Sequence, residues 1–203
     1  MLGDEAPPVV PRPAASLLVL RQDGATPEVL MGMRGAKHRF MPNRLVFPGG
    51  AVDPGDHAAP VASGMRADVL SRLERSADAS LARALGVAAA RELEEETGLT
   101  LGAPPVLEGI DYLCRAVTPA PSPVRFDARF LVVDATFVSG ELAGSGELEG
   151  LRWYRLEEAF AMDLAIVQRR VLERLQGWMA MAEDERRELR EVAVLFDRTW
   201  GTE

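Results

Sequence analysis

The chain has 203 residues, 47% hydrophobic and 27% charged, a globular composition with material for one sizeable core. Lys and Arg number 23 against 31 Asp and Glu, and this formal charge of -8 argues against duplex nucleic acid, whose phosphates need a basic footprint. No run of about 18 apolar residues exists to span a membrane, no N-terminal stretch reads as a secretion signal, and a single cysteine, Cys114, suits a reducing compartment, so the expected location is cytoplasmic.

Residues 1–13 hold four of the fourteen prolines and read as an irregular arm, leaving 14–203 as a single domain. The run Ala14–Arg21 suits a buried strand, and Val29–Arg34 suits its hairpin partner across Asp23-Gly24-Ala25. A basic loop, Lys37-His38-Arg39, leads to a short strand, Leu45–Phe47, ended by Pro48-Gly49-Gly50 and followed by the turn-forming Asp53-Pro54-Gly55-Asp56. Residues 57–90 are helical in part, with Met65, Val69, Leu70 and Leu73 at helical spacing, and Gly86 marks a break before the next helix. That helix runs to Thr97 and stops at Gly98, a left-handed cap. Strands are expected around 106–117, 126–135 and 150–154. The tail reads as helical, with Val167, Val171, Leu175 and Trp178 on one face and Leu189, Val192 and Phe196 on another. Strands, an inserted helix, more strands and terminal helices point to an α/β fold, a mixed sheet sandwiched by helices.

The chemistry concentrates in Arg91-Glu92-Leu93-Glu94-Glu95-Glu96-Thr97-Gly98-Leu99. At 100° per residue, Glu92, Glu95 and Glu96 share roughly a 100° arc, while Glu94 points away. Like charges so placed cost about 0.2–0.5 kcal/mol per pair, and the helix dipole disfavours anions in these last turns. A divalent cation is the natural compensation, and an oxygen-only donor set suits Mg²⁺ or Mn²⁺. A run of glutamates on a helix is more often a solvated face paired with neighbouring arginines. Here Gly49 and Gly50, directly after a strand, favour the metal reading, because they let the backbone approach a ligand and leave a carbonyl free.

Gly50, five residues, Asp56, and then Arg91 to Leu99 resemble the Nudix box, G-x5-E-x7-R-E-U-x-E-E-x-G-U, where U is aliphatic. The second half matches at every specified position. Two departures stand out: Asp56 replaces the box glutamate, and 34 residues separate it from Arg91 instead of seven. An excursion at the loop-to-helix junction leaves the site intact, since loop entropy grows slowly with length.

The resemblance implies a Nudix-type α/β/α sandwich with the helical insert 57–90 inside the box, and hydrolysis of a nucleoside diphosphate linked to another moiety. It implies Mg²⁺ or Mn²⁺ held by Glu92, Glu95 and Glu96, joined by the Gly50 carbonyl, with Arg91 holding a loop or glutamate in place. Glu147, six residues before Trp153, is favoured over Glu149 as general base or further ligand; Glu92 and Glu95 are the alternative bases. Arg34, Arg39, Arg125 and Arg129 are the candidate substrate contacts, although Arg125 to Phe130 also reads as an ordinary amphipathic strand. The segment Arg39–Gly50, the long insert and Thr118-Pro119 with Arg125–Phe130 resemble the long-insert branch that includes the peroxisomal coenzyme A diphosphatases, which implies coenzyme A or acyl-CoA as substrate. Hydrolysis of ADP-ribose, nucleoside diphosphate sugars or dinucleotides is the alternative. A non-catalytic nucleotide-binding regulator on the same fold is a third reading, which the intact glutamate set argues against. His57 reads as surface, Cys114 as a strand residue and Trp153 as core. A homodimer is compatible with the sequence, although nothing in it identifies an interface.

Overall fold

The computed structural model describes residues 9–22, 24, 26–35, 43–144 and 146–203. The chain forms β1 (Arg12–Arg21), β2 (Glu28–Arg34), β3 (Leu45–Val46) and β4 (Gly49–Ala51), then a 3-10 turn at Pro54–His57. Helices α1 (Ala67–Leu73) and α2 (Ala79–Thr97) follow, and then β5 (Leu99–Thr100), β6 (Asp111–Val117), β7 (Phe126–Asp134) and β8 (Ser139–Gly140). The last elements are β9 (Leu148–Arg155), α3 (Leu156–Ala161), α4 (Ile166–Met179), α5 (Glu183–Glu188), β10 (Ala193–Phe196) and β11 (Thr199–Thr202).

Among the described residues, nine strands make one mixed sheet in the order β11-β10-β6-β7-β1-β2-β3, with β4 on β1 and β9 on β2. The continuous apolar run of β1 fits its central place, since a strand covered on both faces has no polar side. Ala15, Leu17 and Val19 face one core with Ala88, Ala89 and Leu93 of α2; Leu18 and Leu20 face a second with Leu172 and Leu175 of α4. Helices thus cover both faces, the expected α/β/α sandwich.

One edge of β1 changes partner. Near its end Leu20 and Arg21 pair with Val29 and Glu28 of β2, whereas Ala14, Ala15 and Ser16 pair with Ala51, Gly50 and Gly49 of β4. The sheet splits between these two pairings, and β4 carries the two box glycines along β1. A Cβ on Gly49 would overlap the Ala15 carbonyl and Ser16 Cα, so only glycine permits the approach.

Two expectations are corrected. Gly86 breaks nothing: it lies inside α2, which starts at the Asp78 cap (Oδ1 accepts from the Leu81 N–H at 2.8 Å). Its missing Cβ leaves room for Met65 and Leu107, so it serves close packing rather than a turn. The segment Leu189–Phe196 is not a helical face. Glu183–Glu188 forms the short α5, but Ala193–Phe196 is a strand parallel to β6, with Val194 opposite Arg115. Leu189, Val192 and Phe196 fit helical spacing, yet Ala193 and Leu195 are buried in the α4-side core while Phe196 is exposed, the period of a strand. Asp197 and Arg198, with φ of 46° and 68°, turn the chain into β11.

The insert is docked firmly. Arg72 Nη1 donates to the Tyr112 carbonyl at 2.7 Å and Nη2 pairs with Asp111. Arg83 ties α2 to the carbonyls of Asp56, His57 and Ala59. Among the described residues, no helix is long and apolar enough to cross a membrane.

Candidate active site

The glutamates project from the last turns of α2, whose alanines at 88–90 let the helix sit close to β1 and β4. Their environments differ as the helical phase dictates. Glu96 faces inward and is 2% exposed, Glu92 is half-buried, and Glu95 faces outward. Glu96 Oε2 accepts from the Gly49 N–H at 2.8 Å, and its Oε1 lies 3.8 Å from Arg34 Nη2 at the end of β2. Gly50 lies directly against Glu92: any Cβ there would overlap the carboxylate. A side chain at Gly50 would therefore displace the Glu92 carboxylate from this position.

Arg91 binds the first half of the box to the second. Its Nε and Nη2 reach Asp56 Oδ1 and Oδ2 at 3.0 and 3.1 Å, and Nη2 also reaches the Ala51 carbonyl at 3.0 Å. Its Nη1 donates to Glu92 Oε1 at 2.8 Å and Glu95 Oε2 at 3.0 Å. The hydrogen bonds that it donates to Asp56 are the main reason the Arg91 guanidinium holds its proton more tightly than usual, burial opposing them. Asp56 is buried and its Oδ2 also caps the Asp53 N–H at 2.8 Å. The aspartate, one methylene shorter than the box glutamate, thus reaches the arginine because the 3-10 turn brings it close. Asp56 belongs to the clamp that shapes the site, a role that the sequence leaves open.

Glu147 comes from the loop before β9, which pairs antiparallel with β2 through Arg34 and Leu148. The Gly35 N–H donates to the Glu147 carbonyl at 3.4 Å, so Glu147 arrives beside Arg34. Its charge is felt at Glu92 and Glu96, raising both. Burial is the larger cause: it pushes Glu96 up to about 7, the Gly49 N–H and Arg34 opposing and Glu92 adding, and it raises Glu92 against the pull of Arg91.

These acids suit a hard divalent cation in kind: oxygen donors that repel one another and whose charged forms are penalised by burial. Among the described residues no three are already gathered into a closed metal cage. Arg91 stands between Glu92 and Glu95, and Arg34 leans on Glu96, so a cation would enter in partial exchange for these contacts.

The other candidates fall elsewhere. Arg125 donates to the carbonyls of Thr118 and Val9, tying a loop and the start of the described chain together. Arg129 is fully buried, paired with Asp127 and donating to Ser76 of the insert. β7 alternates, so Phe126, Ala128 and Phe130 line the cleft described next while Arg129 faces the insert. The structure thus gives both arginines internal partners and does not bring them to the glutamates. Arg39 lies outside the described residues. His57 Nδ1 sits 2.8 Å from Ser80 Oγ at the surface. Trp153 packs against the α2-side core under Arg21, and burial raises the Cys114 thiol far from reactivity.

Beside Gly49 and Gly50, on the α4 side of the sheet, lies a cleft of about 390 Å³. Phe47, Phe126 and Phe130 give it apolar walls, Arg34 stands at the carboxylate end, and the first turn of α4 and Arg198 line it too. Sequence patterning does not disclose it, because its walls come from seven separate strands and one helix.

The NUDIX domain family model matches residues 83–175, from within α2 through α4. Among solved structures, a NUDIX hydrolase from Alicyclobacillus acidocaldarius is similar at 27% identity and a TM-score of 0.55, over 75% of this chain and 82% of that one. A MutT NUDIX hydrolase from Burkholderia pseudomallei gives 23% and 0.55, over 82% and 99%. The NUDIX domain of Shewanella oneidensis NrtR, complexed with ADP ribose, gives 15% and 0.54, over 85% and 90%. No curated protein sequence matches the chain.

Proposed function

We propose that this chain, which the NUDIX domain family model matches over residues 83–175, is a pyrophosphohydrolase that cleaves a nucleoside diphosphate linked to another moiety, with Mg²⁺ or Mn²⁺ at Glu92, Glu95 and Glu96. The observation that carries this reading is the junction of two unlike environments at Gly49-Gly50. On one side lie mutually repelling carboxylates, and on the other an apolar cleft large enough for a nucleoside. A diphosphate lying across the glycines would place its charges by the cation site and Arg34, with its organic group in the cleft.

A bound divalent cation supplies a Lewis acid for the phosphoryl oxygens and lowers the pKa of a water. The chain does the rest. Glu147, whose charge is felt at Glu92 and Glu96, accepts the proton of the attacking water. Arg34 neutralises charge on the departing phosphate. Arg91, saturated by Asp56, Glu92, Glu95 and Ala51, touches no reacting atom and positions the carboxylates.

Coenzyme A and acyl-CoA head the substrate class on the strength of the long box insert; ADP-ribose, nucleoside diphosphate sugars and dinucleotides follow. Product analysis by mass spectrometry across these compounds, with each cation and with chelator, tests the reading. Cation-dependent release of two phosphate monoesters supports it, and adenosine 3',5'-bisphosphate from coenzyme A supports the branch. Binding without turnover across the panel would return the chain to a nucleotide-binding regulator. Replacing Glu147 by Gln should lower kcat by roughly 10²- to 10⁴-fold, the worth of a general base, with KM little changed. Retention of kcat would move the base onto the helix.

A further inference from the structure

The cleft borders a carboxamide that neither the fold nor the chemistry above uses. Gln168, in the first turn of α4, is 6% exposed, and its Oε1 is buried without a hydrogen-bond partner. The residue is one of those lining the cleft, with Phe47, Phe126, Phe130 and Arg34. A buried carbonyl oxygen left unpaired costs about 1–3 kcal/mol, whereas leucine or methionine would fill this position between Val167 and Val171 without that cost. A fold has no reason to put a carboxamide there, but a ligand does.

The backbone around it points the same way. The residue before α4 is Ala165, which offers no side-chain cap, and the first turn holds no acidic residue. The leading N–H groups of a helix have no intrahelical acceptor, and Ala165, Ile166, Val167 and Gln168 all line the cleft. Donors from the helix and an acceptor from the carboxamide thus occupy one wall. Rotation about the last torsion of Gln168 exchanges its oxygen and nitrogen, so it can present either to the cleft. The opposing aromatic walls suit a flat ring. The cleft volume of about 390 Å³ fits a nucleoside rather than an extended acyl chain.

We propose that Gln168 is a specificity-determining residue that reads the edge of a nucleobase seated in the cleft, where a ring donor and a ring acceptor lie side by side. Adenine is the favoured base, because a carboxamide pairs with its exocyclic amine and adjacent ring nitrogen through two hydrogen bonds. The proposal rests on the hydrolase reading above and assigns the orientation of its substrate: base against α4, diphosphate over Gly49-Gly50. The residue would touch the base and not the reacting phosphorus, so its loss should appear in KM and in the ranking of bases rather than in kcat.

The experiment compares wild type and Gln168→Leu on coenzyme A, ADP-ribose, GDP-mannose, UDP-glucose and a diphosphate ester without a base, in Mg²⁺ and in Mn²⁺. A thermal melt of each protein confirms folding. Leucine removes an unpaired buried polar atom, so the variant should melt no lower than wild type. The expected result is a 5- to 50-fold loss of kcat/KM on the preferred nucleotide, carried by KM, on the scale of one or two hydrogen bonds. Preference among bases should shrink by the same factor, with turnover of the base-free ester unchanged. If wild type prefers one base and Gln168→Leu keeps that preference, the inference is overturned while the hydrolase reading stands. An equal loss on the base-free ester would also overturn it, since the residue would then act on the reaction. Wild type inert on every compound would overturn the hydrolase reading itself.

Discussion

Replacing Glu96 by Gln should abolish turnover and, in the metal-free protein at pH 8, raise the melting temperature. The two effects have one cause. Glu96 is pushed up to about 7 chiefly by burial, with Glu92 and Glu147 adding and Gly49 and Arg34 opposing. Its folded value therefore lies above the ordinary 4.5 of the unfolded chain. As pH rises from about 4.5 to about 7 the unfolded chain releases this proton first, and metal-free stability falls across that window. Above it the penalty levels off at a ceiling on the order of 3 kcal/mol. Gln cannot ionise, yet its amide oxygen can still accept from the Gly49 N–H, so a gain of about 1–3 kcal/mol is expected, at roughly 2–4 °C per kcal/mol. Activity should fall by about 10³-fold, the loss of an electrostatic group serving a charged transition state. Thermal melts in chelator at pH 5 and pH 8, with a turnover assay in Mg²⁺, read both. A cation should raise the melting temperature of wild type more than that of the variant. Full activity in the variant, or a variant that in chelator gains no stability over wild type between pH 5 and pH 8, would overturn this assignment of Glu96.

What was legible in the sequence divides along the range of the interactions. The spacing of Glu92, Glu95 and Glu96 is a property of one helix, so their shared face and the outward Glu94 follow from helical phase alone. Gly98 as the cap is equally local, and its φ of 72° is what such a cap requires. Gly86 misled because glycine in a helix carries no local mark of whether it ends the helix or admits Met65 and Leu107. Leu189, Val192 and Phe196 misled because three apolar residues fit a helix or part of a strand, and only the neighbouring edge of β6 decides between them. Arg125 and Arg129 lie in a segment whose pattern fits both substrate contacts and a plain amphipathic strand. Choosing required knowing that Ser76 and Val9 come to meet them across 53 and 116 residues. Gln168 carried no signal at all: its meaning is an unpaired oxygen in a cleft built by distant strands.

The largest loss of stability should come from Arg91→Leu. Arg91 satisfies Asp56 at both oxygens and bridges it to the Ala51 carbonyl, Glu92 and Glu95. Asp56 itself is only 3% exposed, so removing its partner strands a carboxylate in the interior, which typically costs 3–5 kcal/mol. The exposed Glu95 contact contributes little of this, since surface pairs are worth about 0–1 kcal/mol. A fall in melting temperature on the order of 10 °C follows from that range. The lost contacts lie between β4, the 3-10 turn and α2, so Gly50 and Glu92 lose their common anchor and turnover should collapse as well. Arg91→Lys should recover part of the stability and less of the activity, because an ammonium cannot grip both oxygens of Asp56 while also reaching Ala51 and Glu92. The decisive comparison is the double variant with Asp56→Asn. If the buried pair is the cause, removing the second charge relieves the first, and the double variant should be more stable than the sum of the single losses by about 0.5–3 kcal/mol. Strict additivity, or an Arg91→Leu loss below 1 kcal/mol, would mean that water reaches Asp56 and that the insert, rather than the arginine, holds the two halves of the box together.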